Sequence, residues 1–338
     1  MLKKLCVLCC FILVPVFNLQ AAVILIYHHV ASDTPRSTSV TADEFRAHLQ
    51  YLRQHDFQVI GLDVLISKLQ QGETLPDNAV VITFDDSYEN NYTTAHPILM
   101  EFGFPYTVFV SPDVIDKKTG PVMNWQQLRE MAEAGVLIAN HSSLHDHMAR
   151  PEKGESHADW LQRMEHDILR AEQRIKEETG QSHRWLAYPY GEFSDDLEKL
   201  VSKLGFIGIG QQSGAVGPHT LLTRIPRYPA AGQYAELKSL AEKFRTLAFP
   251  ITDYLAADQV ISANPPTLRL TLQIEDFLPR QLRCYAGTEV LEPVWLDSNT
   301  FEVTASKPVA KGRSRYNCTA PSLSKKGYYY WYSQPWLN

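Results

Sequence analysis

Three short segments carry residue types that, at their spacing, could do chemistry. Thr83-Phe84-Asp85-Asp86 closes an apolar run. Two adjacent carboxylates at a buried strand end are costly unless something positive sits beside them. A divalent metal would meet that need, one carboxylate serving as ligand and the other as a base; the plainer reading is an Asp pair capping a helix. His141-Ser142-Ser143-Leu144-His145 sets two imidazoles four apart, on one face of a helical turn, and neutral imidazole is the commonest metal ligand. His147 could stand in for either, and exposed loop histidines would mean nothing. Two His and one Asp form a facial set that leaves positions open for water and substrate, the pattern of a catalytic rather than a structural site. In Tyr188-Pro189-Tyr190-Gly191, Pro and Gly fix a tight loop able to aim a backbone N–H as an oxyanion donor. Alone, that third segment is only a turn.

The elements that must position these residues alternate between short apolar runs and amphipathic stretches from Val23 to about Leu247. Strands are expected at Val23–Tyr27, Phe57–Ile60, Ala79–Phe84, Tyr106–Val110, Val136–Ala139, Trp185–Ala187, Phe206–Ile209 and, more weakly, Leu222–Ile225. Val80, Val81 and Ile82 are apolar on both faces, as in a parallel sheet covered by helices. A helix is expected over Ala42–His55, with Thr41 and Glu44 as a capping box. A longer one spans Ala158–Glu178, with Leu161, Met164, Ile168, Ala171 and Ile175 as its stripe and Gly180 at its end. Repeated βα units predict an α/β fold, a (β/α) barrel that is incomplete or distorted. All three segments follow strand ends, the edge of such a barrel where catalytic residues collect.

The pattern changes at 249–266, where Pro250, Pro265 and Pro266 frame an expected linker. Beyond it Leu268 to Ile274 alternates with period two, as does Phe301-Glu302-Val303, so residues 267–338 read as a small antiparallel β-sandwich. The Tyr328–Tyr332 aromatics could stack on sugar rings, though on a strand at least half of them turn into the core.

The start of the chain reads differently. Lys3 and Lys4 precede a 13-residue apolar run, Leu5 to Phe17, and a small-residue exit ends at Ala21 or Ala22. That is the pattern of a secretory leader over residues 1–22, too short for a comfortable membrane span. Export to the periplasm or beyond follows, with no stable membrane span once the leader is removed. Without it, 30 basic residues face 38 acidic ones, and Cys284 and Cys318 are the cysteines left. In an exported protein these are expected to pair. An acidic chain with 44% apolar and 21% charged residues is neither disordered nor a nucleic-acid binder working through a basic surface.

Taken in order, TFDD, HSxxH and YPYG, with Tyr27-His28-His29-Val30 before them, resemble the NodB-homology polysaccharide deacetylases of carbohydrate esterase family 4. The resemblance covers about residues 23–230 and is most like the poly-β-1,6-N-acetylglucosamine deacetylase branch. It implies a distorted (β/α) barrel of the NodB type over 23–248. Asp85 matches the family's catalytic base, and Asp86, His141 and His145 its metal ligands. Tyr190 matches the residue whose backbone N–H holds the oxyanion, and His28, rather than His29, the general acid. Trp125 matches a recurrent aromatic that is either core or sugar platform, and Tyr188 falls with Tyr190 among the substrate-binding positions. Zinc is the metal implied first, with cobalt, nickel or iron compatible with the same ligands. One position departs from the wider family: where an Arg orients the base, this chain has Ala187, and Arg224 or Arg227 could substitute. The implied activity is removal of acetyl groups from an N-acetylglucosamine polymer, with chitin oligomers or peptidoglycan as alternatives to the β-1,6 polymer. A glycoside hydrolase fits poorly, because adjacent Asp85 and Asp86 do not flank a sugar bond and the histidines go unused. A polysaccharide-binding protein without catalysis would differ in binding no metal. Oligomeric state is not legible.

Overall fold

The computed structural model describes residues 21–76 and 78–338. Eight strands form one sheet: β1 (Ala22–Tyr27), β2 (Gln58–Val59), β3 (Ala79–Phe84), β4 (Thr107–Val110), β5 (Leu137–Asn140), β6 (Trp185–Ala187), β7 (Ile207–Ile209) and β8 (Tyr228–Pro229). Their order is β8-β1-β3-β4-β5-β6-β7 with β2 added to β3, and every pairing is parallel. β1 and β3 are buried at every position. Val23, Leu25 and Tyr27 of β1 join Val80, Ile82 and Phe84 of β3 in one apolar cluster. Ala22, Ile24, Ala79 and Val81 point into another. Side chains alternate across a strand, so a sheet covered on both faces needs apolar residues at both parities.

The sheet curls but does not close. Among the described residues β7 and β8 are not paired; residues 210–227 cross the gap, touching β7 through an Ile209–Ile225 bridge and β1 through Ala22–Val216. The approach at Gly208 is tight: a Cβ there would stand 2.1 Å from the Thr223 carbonyl oxygen, so a side chain is excluded. The strand expected at Leu222–Ile225 is therefore only that one bridge, and β8 is the true edge. The result is a distorted, open (β/α) barrel.

Helices cover the sheet where apolar stripes foresee them. α1 (Ala42–Gln54) begins with a complete capping box, Glu44 N–H donating to Thr41 Oγ1 at 3.2 Å and Thr41 N–H to the Glu44 carboxylate at 2.8 Å. α2 (Trp125–Glu133) starts from a second box built by Asn124 and Gln127. α3 (His157–Thr179) is capped by Ser156 and stopped by Gly180 in the left-handed region. Its buried face holds Met164, Ile168, Ala171 and Ile175 of the expected stripe together with two acids, Asp167 and Glu172, while Leu161 is only partly buried. α4 (Asp195–Lys203) follows the third motif.

The C-terminal unit is a sandwich of two sheets. Strands β9 (Thr246–Ala248), β10 (Ile251–Ala256), β11 (Thr267–Leu272), β12 (Arg283–Ala286), β13 (Glu289–Leu291), β14 (Val294–Trp295), β15 (Thr300–Thr304), β16 (Arg313–Pro321) and β17 (Tyr329–Leu337) divide as β9-β17-β16-β12-β13 and β10-β11-β15-β14. All pairs are antiparallel except β9 with β17. The segment expected as a linker, 249–266, is largely part of this unit. β9 and β10 supply an edge to each sheet, because Leu247, Phe249 and Ile251 are apolar enough to enter its core. Cys284 and Cys318 are register partners on β12 and β16 and form a disulfide. Of the terminal aromatics, Tyr330 is buried in the sandwich, and Trp331 packs edge-on against Tyr228 of the barrel, under Lys243 Nζ at 4.1 Å from its ring.

The expected leader, residues 1–22, lies outside the described residues except for Ala21 and Ala22. Ala22 already belongs to β1, its N–H donating to the Val216 carbonyl at 2.9 Å. Among the described residues no helix is long and apolar enough to cross a membrane.

Candidate active site

The three chemical segments converge past the C-terminal ends of β3, β5 and β6. β3 stops at Phe84, and Asp85 N–H donates to the Tyr27 carbonyl at 3.0 Å, tying the motif to β1. Asp86 and Ser87 then take left-handed backbone conformations (φ 68° and 51°). His141 leaves β5 with its N–H on the Val110 carbonyl at 2.9 Å. The histidine segment is not the helical turn its spacing suggested. Ser142 and His145 both have positive φ (61° and 58°), and a loop folded back on itself brings the two rings together. Asp167 of α3 holds that loop by accepting from the Ser143 and Leu144 N–H groups at 3.1–3.2 Å.

The metal-type ligand set is assembled. Asp86 Oδ1 lies 2.9 Å from His145 Nε2 and 3.3 Å from His141 Nε2, and one donor atom from each residue falls within 4.8 Å of the others. His141 Nδ1 meets the Ala187 carbonyl at 2.8 Å, which makes Nδ1 the protonated nitrogen and leaves Nε2 as a free ligand. Asp86 Oδ1 and His141 Nε2 are buried and have no hydrogen-bond partner, as donor atoms awaiting a cation would be. Burial works against charge on Asp86, yet His141 and His145 hold its carboxyl well below the usual range. Burial also lowers His141, but Asp85 and Asp86 outweigh it and raise the ring above its ordinary value. The pocket between the carboxylates favours a positive charge, and a divalent ion fits it. His147 is committed elsewhere: it bonds the buried Glu192 carboxylate at 3.0 Å and stacks on Tyr190, so it does not stand in for His141 or His145.

Asp85 is fully buried and gripped by Arg227, itself fully buried, through Nη1–Oδ1 at 2.7 Å and Nη2–Oδ2 at 2.8 Å. Arg227 is fixed in turn by the Gly210 carbonyl at 2.8 Å and Thr83 Oγ1 at 3.2 Å. Desolvation opposes the Asp85 charge, but Arg227 and His141 overcome it and the carboxyl stays below its ordinary value. The vacancy left by Ala187 is thus filled by the second of the two arginines considered. Arg224 instead binds Glu198 and the Ala257 carbonyl, joining the two units. Burial pushes the His28 ring down, with Asp85 and Asp86 drawing it up and Arg227 and His141 adding to the fall. His29 is not equivalent: it is buried, stacked on Tyr88 at 3.6 Å and bonded to Asn90.

Two expected substrate contacts do not reach the site. Tyr188 is fully buried against Phe193, with its hydroxyl donating to the Thr223 carbonyl at 2.8 Å. Trp125, at the start of α2, is 9% exposed, bonds Asp116 through its indole N–H at 2.6 Å and lies under Arg174. Its recurrence belongs to the core. Tyr190 stays at the site in a left-handed conformation (φ 59°), its ring 4.8 Å from His145. Asp167 was not singled out from sequence, although it sits three residues after Met164 and four before Ala171, on the apolar face of α3. An acid in such a stripe is itself a signal of a buried partner.

With this geometry in view, the comparisons with known proteins agree. The family model described as polysaccharide deacetylase matches residues 72–209. A poly-β-1,6-N-acetyl-D-glucosamine N-deacetylase of Staphylococcus epidermidis is 30% identical over 231 residues, covering 62% of this chain and 79% of that one. The chain belongs to the polysaccharide deacetylase family. A second relative, named the putative polysaccharide deacetylase YxkH of Bacillus subtilis, is 28% identical over 57% of this chain and 65% of its own length, just under two thirds. Among solved structures, a de-N-acetylase from Aggregatibacter actinomycetemcomitans superposes with a TM-score of 0.60, covering 66% of this chain and all of that one at 21% identity. That likeness establishes the fold of the barrel. The family is one of hydrolases acting on amide bonds.

Proposed function

We infer that this polysaccharide deacetylase is an exported, metal-dependent enzyme that removes acetyl groups from an N-acetylglucosamine polymer, poly-β-1,6-N-acetylglucosamine before chitin oligomers or peptidoglycan. The observation that carries this reading is the juxtaposition of the Asp86–His141–His145 ligand set with an arginine-held Asp85, His141 Nε2 lying 3.9 Å from Asp85 Oδ2. The polymer is suggested by the name of the staphylococcal relative. Export is supported by the leader pattern and by the Cys284–Cys318 disulfide, which persists in oxidising compartments.

The roles are those the family resemblance implies, and the ligand set and the arginine-held Asp85 support them. A divalent cation, zinc first, held by Asp86, His141 and His145 would polarise the acetamide carbonyl and lower the pKa of a water. Asp85, ionised and aimed by Arg227, takes the proton from that water as its oxygen joins the carbonyl carbon. The Tyr190 N–H donates to the carbonyl oxygen as it gains charge. His28 hands a proton to the sugar nitrogen as the C–N bond breaks. Acetate and a free glucosamine unit result.

The test is acetate release by the mature, zinc-loaded protein on β-1,6-N-acetylglucosamine oligomers, chitin oligomers and peptidoglycan, with Asp85→Asn as the blank. Release from the β-1,6 oligomers that vanishes in the variant is expected. Release from another substrate alone would reassign the polymer. A protein that binds no zinc and releases nothing would leave a polysaccharide-binding protein.

A further inference from the structure

The C-terminal sandwich reaches into the barrel at the loop that carries Tyr190. Tyr190 and Gly191 are consecutive residues with positive φ (59° and 68°). For tyrosine this is a strained conformation, one that lasts only where surrounding contacts over-determine it. The contacts come in large part from the other unit. Arg313 Nη1, at the start of β16, donates to the Tyr190 carbonyl at 2.6 Å. Gln259, between β10 and β11 and 2% exposed, donates its Nε2 to the Gly191 carbonyl at 3.0 Å and accepts from Phe193 N–H through Oε1 at 2.5 Å. Gln259 is itself anchored in the sandwich, its carbonyl accepting from Leu337 N–H at 2.7 Å. Three backbone polar groups of the loop, the Tyr190 and Gly191 carbonyls and the Phe193 N–H, are thus bound by side chains from outside the barrel.

We propose that the C-terminal sandwich is a positioning device for the Tyr190 loop, with Gln259 and Arg313 as positioning residues that hold the Tyr190 N–H where the substrate carbonyl oxygen gains charge. The proposal rests on the reading of Tyr190 as the oxyanion donor. Both act through the backbone of residues 190–193. A donor useful only in the transition state affects turnover more than substrate binding. The sandwich therefore sets kcat, not merely stability.

The experiment pairs hydrogen exchange with kinetics on the full mature chain. Gln259→Leu and Arg313→Ala are expected to speed amide exchange in peptides spanning 188–193 and to leave peptides spanning 139–146 unchanged. On β-1,6-N-acetylglucosamine oligomers, kcat should fall by about tenfold to a hundredfold with KM and zinc affinity within about twofold of the parent. Arg313→Lys, which can still place one donor on the Tyr190 carbonyl, should recover most of the loss. Arg315→Ala removes a 3.1 Å bond to Tyr234 across the same interface without touching the loop, and should behave as the parent. Unchanged exchange at 188–193 would overturn the clamp, whether or not the oligomers are turned over. Faster exchange with unchanged kcat would overturn its catalytic consequence, as would an equal fall in zinc affinity. If the parent protein releases no acetate, the assigned substrate fails, while exchange still decides the clamp.

Discussion

Arg227 and Asp85 meet as a fully buried, two-pronged ion pair, 142 residues apart in sequence. Taking both charges out of water is costly, and the pair endures because the Gly210 carbonyl and Thr83 hydroxyl occupy further donors of the guanidinium. Arg227→Ala would leave a buried carboxylate unpaired, a loss of about 3–5 kcal/mol. Arg227→Lys keeps the charge but has no fork to match the carboxylate, so turnover should drop about a hundredfold with less loss of stability. Chemical denaturation and acetate release on the two variants check this; a Lys variant with parental turnover would remove Arg227 from the alignment of Asp85.

The ligand set can be tested without any substrate. Zinc at a hundred times its dissociation constant should stabilise the protein by about 2.7 kcal/mol, raising the melting temperature by several degrees, reversibly with chelator. Asp86→Ala and His145→Ala should abolish the shift. A shift that survives both changes would place the ion elsewhere.

The disulfide joins cysteines 34 positions apart in sequence, on two strands of one sheet. In the chain-entropy view its removal in a Cys284→Ser, Cys318→Ser double variant costs roughly 3–4 kcal/mol. Urea unfolding of the variant against the oxidised parent measures the cost. Since the site is built by barrel strands, acetate release well below the unfolding transition should persist.

The start of α1 carries a pH signature. The Arg36 guanidinium, followed by the cap contacts at Thr41, holds the Glu44 carboxyl down from its ordinary 4.5 to about 2. A depressed acid stabilises the fold fully above its ordinary value and loses that support as pH falls through the folded one. Glu44→Gln should therefore cost up to about 1 kcal/mol at neutral pH, as expected of an exposed pair. The gap to the parent should narrow between pH 4.5 and 2. Melting curves at pH 7, 4 and 2.5 would show it; a gap that widens in acid would contradict the assignment.

Much of this protein was written in local patterns. The α/β class, β3 and β6 to the residue, the capping box of α1 and the full length of α3 follow from periodicity and cap chemistry, which act within a few residues. Asp86 and His141 were legible because each lies just past a strand end, whereas His145, five residues beyond β5, is brought to them by a loop folded back on itself. Tertiary structure decided what depended on distant partners. It chose Arg227 over Arg224, because the path of residues 210–227 across the open seam brings one to Asp85 and the other to Glu198. It turned Tyr188 and Trp125 inward, since burial is set by what packs against a residue and not by its motif. It made a strand, β10, of residues expected in a linker and gave β9, expected in the barrel, to the sandwich, because Leu247, Phe249 and Ile251 find an apolar core that only the folded sandwich provides. The grip of Gln259 and Arg313 on the Tyr190 loop was invisible for the same reason: a hydrogen bond between units leaves no period in the sequence.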